Sequence, residues 1–302
     1  MSRIYIALTV TFWASAYVAI RIGLKGYGPF ELALFRYIIA SMTMGILAPI
    51  VGIRIPKKRD LFYILLTGII GISVYNMALN YAELTITAGE ACFIINTAPL
   101  FTLLFSYVFL GETISPRFVF GLLLSFIGVT LIAFRFDQTI TFKSGTMLVF
   151  IAAVAHAAFF VLQGPLLKKY SPIEVTCYAI WGGSIFMLPF GLGFIEQLFS
   201  ASFSATTAVI YLGIFPAAVA NLCWSSVLKN IPAAQAASFL YVVPAATFCI
   251  GFVLIKELPA SLSLAGGAIA IAGVAFANSS QWFPKKTYNK KGQLNDHNKT
   301  SY

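Results

Sequence analysis

One sequence pattern occurs twice in this chain. Residues 87–133 read TAGEACFIINTAPLFTLLFSYVFLGETISPRFVFGLLLSFIGVTLIA, and residues 232–278 read PAAQAASFLYVVPAATFCIGFVLIKELPASLSLAGGAIAIAGVAFAN, at an offset of 145 positions. Alignment of the two stretches pairs Pro99 with Pro244, Glu112 with Glu257, Gly121 with Gly266, Gly128 with Gly273 and Ala91 with Ala236. Duplication inside an apolar chain is typical of transporter cores built from two structural repeats.

The repeat extends toward the N-terminal part of each half. Asn76 aligns with Asn221, and Gly68 with Gly213, at the same offset of 145. Trp13 aligns with His156 at an offset of 143, as does the stretch 29–31 with 172–174. The change of offset indicates one short insertion in a loop.

The composition places the chain in a membrane. Of its 302 residues 59% are hydrophobic and 10% are charged, with a mean hydropathy of +0.87. Soluble domains carry roughly 25% charged residues, so this chain has too little polar surface for a water-exposed globule. The lipid bilayer is therefore its expected environment.

Ten apolar segments are long enough to cross a bilayer as helices, for which about 20 residues are needed. They are 4–24, 31–51, 61–82, 86–110, 117–135, 145–167, 173–194, 205–228, 233–255 and 260–280. The sequence thus predicts an all-α integral membrane fold of ten transmembrane helices. Because five helices is an odd number, the second repeat is expected to be inverted relative to the first. The predicted divisions are a first repeat 1–135, a second repeat 136–282 and a basic, disordered tail 283–302.

The net charge of +10 is distributed as the positive-inside rule describes. If the N-terminus is cytoplasmic, most lysines and arginines lie on the inside, in short loops and the C-terminal tail. We therefore expect both termini to face the cytoplasm in a bacterial inner membrane, and we expect no nucleic-acid partner. The cysteines Cys92, Cys177, Cys223 and Cys249 lie in apolar runs without metal-ligand spacing, so no metal site is expected.

Several motifs resemble those of the drug/metabolite transporter superfamily, specifically its ten-helix EamA-type members. They are Phe-Trp-Ala-Ser at 12–15, Phe-Arg-Tyr at 35–37, Ala-Leu-Asn-Tyr at 78–81 and the run from 88 to Gly-Glu at 111–112. The resemblance implies a central cavity that opens on alternate sides as the fourth and ninth helices move, with no cofactor. It implies small-molecule transport without naming the solute. Lys256 departs from the Leu-Gly-Glu pattern of the first repeat, and an altered helix end is expected there.

Three ionisable residues lie deeper inside the predicted spans than the charged residues near the span ends, and charge is costly there. Glu90 is expected either to bind a substrate amine or coupling proton, or to be a hydrogen-bonded interface carboxylate. Arg36 would bind a substrate carboxylate or, as the family resemblance implies, pair with Glu31, Glu83 or Glu90. His156 is expected to be a satisfied core residue, a cavity contact or a proton relay.

The remaining candidates form a polar and aromatic set that suits an amphipathic solute or a cation. Besides Arg36, Glu90 and His156, the substrate-binding candidates are Trp13, Tyr17, Tyr75, Asn76, Asn80, Asn221, Trp224 and Tyr241. Ordinary helix packing is the alternative for each of them. Pro99 and Pro244 are predicted to be hinges because proline removes a helical hydrogen bond. Glu112 and Glu257 are predicted to be structural, each accepting hydrogen bonds from the N-terminus of the following helix.

The sequence favours a secondary transporter of small organic metabolites, most plausibly amino acids or related amphipathic solutes, working by alternating access. A larger cationic metabolite such as S-adenosylmethionine, or a broad range of drugs, is the alternative substrate. No Walker A motif is present to couple ATP. An intramembrane enzyme or a channel is disfavoured because neither a convergent catalytic set nor a filter motif is visible. The sequence leaves the oligomeric state open, and a monomer is plausible.

Overall fold

The computed structural model describes residues 2–82, 85, 94–133, 144–191, 193–247 and 261–282. The secondary structure of these residues is helical, with no strand among them. We number the helices α1 (Ser2–Gly23), α2 (Pro29–Val51), α3 (Lys58–Ala82), α4 (Ala98–Leu110), α5 (Pro116–Ala133), α6 (Ser144–Leu167), α7 (Pro172–Met187), α8 (Phe194–Ser200), α9 (Phe203–Asn230), α10 (Ala233–Ser238) and α11 (Ser261–Trp282).

Each of the ten predicted segments contains helix in the described part of the chain. Six helices, α1, α2, α3, α6, α7 and α9, are long and apolar enough to cross a membrane, and α4, α5 and α11 supply shorter apolar helices. The tail from 283 onward, predicted to be disordered, lies outside the described residues. The all-helical membrane fold is therefore as predicted.

The seventh predicted segment ends earlier than expected. It was expected to continue to residue 194, but α7 closes in a 3₁₀ turn at Leu188–Phe190, and α8 begins only at Phe194. Pro189 and the two glycines Gly191 and Gly193 interrupt the apolar run, and proline and glycine both disfavour helix continuation. The start of α7 is sharply defined, since Ser171 and Glu174 form a reciprocal capping box around Pro172.

Both repeats interrupt their third helix in the same way. A π-helical turn occupies Ile69–Val74 in α3 and Gly213–Val219 in α9, at positions related by the sequence offset. Beside these turns, Gly68 packs on the carbonyl oxygen of Ala179, and Gly213 on that of Arg36. Gly68 matches Gly213, and Arg36 matches Ala179, so the two contacts are equivalent. The two halves that repeat in sequence thus also make equivalent helix-packing contacts.

Helices of one half pack on helices of the other. α1 contacts α9 as α6 contacts α3, while α2 contacts the π-turn of α9 as α7 contacts that of α3. The repeated glycines Gly121, Gly128, Gly266 and Gly273 line the contact between α5 and α11, where an added Cβ at Gly128 or Gly273 would overlap the facing helix. Small residues allow this close approach of membrane helices.

Candidate functional site

A central cavity of about 290 Å³ lies between the two halves. Along α1 its wall runs from Trp13, in the middle of the helix, to the exposed Arg21 and Leu24 at its end. It is also lined by Arg36 near the start of α2 and by Asn80 near the end of α3. The cavity therefore opens toward the membrane face at which α1 ends, which we call the open face.

Aromatic rings form the floor of the cavity. The His156 ring stacks on Tyr75 with centroids 4.3 Å apart, and lies 6.1 Å from Trp13. Trp13 and His156 are repeat counterparts, so the two halves contribute equivalent positions to one floor. The Trp13 indole donates to the carbonyl oxygen of Pro216 at 3.1 Å, which fixes its ring.

Beneath this floor the molecule is closed. Phe160 and Trp224 pack with ring centroids 4.9 Å apart, and Trp224 lies 5.4 Å from Trp13. Val10 of α1 and Ala236 of α10 belong to the same continuous buried core. A solute at the floor is thus blocked from the face at which α1 begins, which we call the closed face.

Two asparagines occupy matched places in the cavity wall. The Asn76 amide donates to the carbonyl of Ile72 at 2.7 Å, and the Asn221 amide to that of Ala217 at 2.8 Å. Both carbonyl groups belong to the π-helical turns. There the i→i+5 hydrogen-bonding pattern leaves backbone carbonyls free to accept side-chain hydrogen bonds. Asn76 also donates to the Tyr37 hydroxyl at 3.3 Å. These amides stabilise the irregular turns at the wall of the cavity.

Arg36 is the charged group deepest in the cavity wall. Its guanidinium lies 5.4 Å from the Tyr37 ring, and its buried Nε has no hydrogen-bond partner in the described part of the chain. The expected pairing with Glu31 is absent, because the Glu31 carboxylate lies beside Gly28 and Gly193 instead. Glu83 and Glu90 lie outside the described residues. The structural role that the family resemblance implied therefore lacks support among the described acidic residues.

The substrate-binding candidates separate into three groups. Trp13, Arg36, Tyr75, Asn76, Asn80, His156 and Asn221 line the cavity. Trp224 is buried below the floor, and Tyr241 packs instead against Leu122 and Val129 of α5. Glu90 and the Tyr17 side chain are outside the described residues. Trp224 and Tyr241 are thus not cavity contacts in this conformation.

The two predicted hinge prolines both line the cavity. Pro99 lies in the first turn of α4, directly after a turn at Asn96 and Thr97, rather than in the middle of a helix. Pro244 follows the 3₁₀ turn Phe239–Tyr241. Each proline thus lies next to an irregular turn, at positions that the repeat relates. A proline in the first turn of a helix costs no backbone hydrogen bond, because the N–H group that it lacks would have no partner there. Their role as hinges stays a prediction.

Glu112 joins the two repeats at the closed face. Its carboxylate accepts from the backbone N–H groups of Ala233 at 3.0 Å and Ala234 at 3.4 Å, where α10 begins. The prediction that its partner would be the following helix, α5, was wrong: the partner belongs to the other half. A carboxylate is favourable at a helix N-terminus, so this contact stabilises the closed face. Glu257 lies outside the described residues.

Sequence reasoning missed several lining residues. Tyr37, Gly71, Asn96 and Phe159 all border the cavity. Gly71 and Phe159 touch one another inside the α3–α6 contact. The repeat offset would have identified Asn96, since it aligns with the candidate Tyr241. Gly71 and Phe159 carried no comparable signal, because apolar packing residues look alike in a membrane helix. Among the described residues no group of acidic, histidine and cysteine side chains could hold a metal ion.

The helical bundle, its repeated packing and its one-sided cavity define a multi-pass membrane transporter. The sequence matches the EamA-like transporter family over residues 1–134 and 143–279. This chain belongs to that family.

Two relatives are each 37% identical to the chain. A protein of Streptantibioticus cattleyicolor, named "Probable terminal-alkyne amino-acid exporter", matches over 273 residues, or 90% of this chain and 92% of that protein. The "Uncharacterized transporter YdfC" of Bacillus subtilis matches over 270 residues, or 89% of this chain and 88% of that protein. Both names describe transporters.

A solved structure titled "Crystal structure of protein" has the same fold. It superposes with a TM-score of 0.77 over 92% of this chain and 96% of that one, at 18% identity. At this identity the likeness concerns the fold alone.

Proposed function

We propose that this transporter carries amino acids or closely related amphipathic carboxylates, and that Arg36 binds the carboxylate. The observation that carries the proposal is the Arg36 guanidinium in the cavity wall, with its Nε unpartnered in the described part of the chain. A charged group inside a membrane protein is costly without a partner. A planar carboxylate that arrives with the solute would supply two parallel hydrogen bonds.

The rest of the cavity suits an apolar side chain. The rings of Trp13, Tyr75 and His156 form an aromatic floor below Arg36. Asn80 donates to the carbonyl of Pro29 at 2.8 Å, which leaves its amide oxygen to accept from a solute ammonium group. Glu90, placed in the fourth segment by the sequence, is the proposed second partner of that ammonium. A volume of about 290 Å³ accommodates one amino acid rather than a large conjugate.

The names of relatives support the same class. The relative from Streptantibioticus cattleyicolor is named as a probable exporter of terminal-alkyne amino acids. Such solutes combine an α-carboxylate with a small, unsaturated apolar side chain. The Arg36 guanidinium would bind the carboxylate of such a solute, and the aromatic floor would contact its apolar side chain.

Matched pairs of ligands test the proposal on purified protein. We expect L-propargylglycine and L-phenylalanine to raise the melting temperature, because a ligand at 100 times its Kd adds about 2.7 kcal/mol to the native state. Their methyl esters keep the side chain and ammonium but lose the carboxylate charge, and should give no comparable shift. Equal stabilisation by acid and ester would contradict carboxylate recognition. Stabilisation only by S-adenosylmethionine or quaternary amines would favour the cationic alternative.

A further inference from the structure

The closed half of the molecule contains a buried polar cluster that the open cavity does not use. The Ser225 hydroxyl donates to Gln163 Oε1 at 2.7 Å, and the Thr176 hydroxyl donates to Ser225 Oγ at 2.9 Å. Trp224 directly precedes Ser225 in the sequence and is fully buried. We call Gln163, Thr176, Trp224 and Ser225 the closed-side cluster.

One member of the cluster lacks a hydrogen-bond partner. Trp224 is 0% exposed, and its Nε1 finds no acceptor in the described part of the chain. A buried donor left unsatisfied costs about 1–3 kcal/mol, and an apolar ring would avoid that cost. Packing alone therefore does not explain an indole at this position, whereas a binding partner in another conformation would.

The repeat relates this cluster to the wall of the open cavity. At the offsets of the two repeats, Ser225 corresponds to Asn80 and Trp224 to Leu79, and Gln163 corresponds to Ile20. All three counterparts line the open cavity. The residues of the second half that form the closed-side cluster are thus the repeat equivalents of residues of the first half that line the open cavity.

We propose that Gln163, Trp224 and Ser225 form a second solute-binding wall, which is exposed at the closed face when the present cavity closes. If each repeat adopted the conformation that the other repeat has here, Asn80 would become buried and Ser225 would become exposed. The Trp224 indole and the Gln163 amide would then donate to a polar group of the solute. The ligand class, an amphipathic carboxylate, rests on the proposed function, but the existence of the second wall does not.

The two walls differ in charge. Ala179 stands in the second half where Arg36 stands in the first, so the closed-side cluster holds neutral donors and no guanidinium. Hydrogen bonds from neutral donors to a carboxylate are weaker than those from a charged fork. The second wall would therefore bind a carboxylate less tightly than the cavity seen here.

Glu112 connects the two repeats in the conformation seen here. Its carboxylate bridges the end of α4 to the start of α10 while the closed face is shut, and we expect this contact to break when that face opens. Glu112→Gln retains the shape of the side chain but removes its charge, which weakens the contact with the helix N-terminus. That variant should shift the population toward the conformation in which the closed-side cluster is exposed.

Thiol labelling tests the second wall without any solute. Ser225→Cys is made in a variant whose four native cysteines are replaced by alanine, and a membrane-impermeant methanethiosulfonate is applied to one face at a time in sealed vesicles. We expect Ser225→Cys to react from the face at which α1 begins, and Asn80→Cys from the opposite face. Ser125→Cys is the matched control, because Ser125 is 0% exposed within the α5–α11 contact.

The expected rate at Ser225→Cys is at least about tenfold above that at Ser125→Cys, since minor conformers are populated at 0.1–10% whereas global unfolding is rarer. Adding Glu112→Gln should raise the rate at position 225 and lower the rate at position 80. Thr176→Cys replaces Ser225→Cys if the latter does not fold. Labelling at neither cluster position, while Asn80→Cys reacts, would overturn the proposal, as would reaction from the open face. Because no solute is used, this failure is distinct from failure of the proposed function.

Discussion

Arg36→Gln is expected to abolish transport of α-amino carboxylates while leaving the protein folded. Removing one partner of a buried charge pair costs about 2–5 kcal/mol of binding, which corresponds to roughly 30-fold to more than 1,000-fold in affinity. The free protein should be equally or more stable, because the buried Nε of Arg36 has no partner in the described residues and the variant removes a partly buried charge. Kd and melting temperature, measured on the same preparations, separate the two effects.

Two variants serve as controls for this result. Arg36→Lys keeps the charge but loses the planar fork, and should retain a part of the affinity. Arg21→Gln removes an exposed arginine at the rim of the same cavity and should change affinity little. If Arg36→Gln lowered the melting temperature strongly and left Kd unchanged, Arg36 would be a structural residue and the carboxylate assignment would be wrong.

Gly68→Ala is expected to cause the largest loss of stability among single-methyl additions to α3. An added Cβ would overlap the carbonyl oxygen of Ala179, which is backbone of α7 and has no rotamer to adopt. Separation of α3 from α7 would also stretch the bond from the Ser73 hydroxyl to the Gly183 carbonyl, now 2.7 Å. Overpacking typically costs about 1–3 kcal/mol, and we expect this variant near the upper end because backbone atoms cannot move aside.

The control for Gly68→Ala is Gly45→Ala in α2. An added Cβ at Gly45 meets nothing within 4 Å, so only the gain in helix propensity remains. That gain is about 0.5–1 kcal/mol. Thermal unfolding in detergent should therefore show opposite signs for the two alanine variants. Equal melting temperatures would show that α3 and α7 do not pack closely enough at Gly68 to exclude a methyl group.

The sequence predicted the fold well because membrane helices and repeats leave periodic, long-range signals. The offset of 145 aligned the glycines that the structure places in the α5–α11 contact and beside the two π-turns, although the sequence predicted neither the contact nor the turns. It also aligned Asn76 with Asn221, and the structure places both in one cavity wall. Most of the cavity-lining candidates were therefore accessible from residue type and repeat position together.

What sequence reasoning missed depends on conformation and on contacts between distant segments. Trp224 and Tyr241 were assigned to the cavity by residue type, but they are buried in packed cores, and it is their repeat counterparts Leu79 and Asn96 that line the cavity. The partner of Glu112 was misjudged because the nearest helix in sequence is not the nearest in space. Pairing of Arg36 likewise depends on where Glu31 points, which no local pattern reveals.

Counterflow in proteoliposomes tests most directly that an amino carboxylate crosses through this cavity. Vesicles loaded with unlabelled L-propargylglycine are diluted into a trace of the labelled compound, and its uptake is followed over time. We predict transient accumulation by the wild-type protein, blocked by L-phenylalanine but not by its methyl ester, and absent with Arg36→Gln. Uptake no greater than in empty vesicles, or equal uptake by the wild type and Arg36→Gln, would contradict carboxylate transport through the Arg36 cavity.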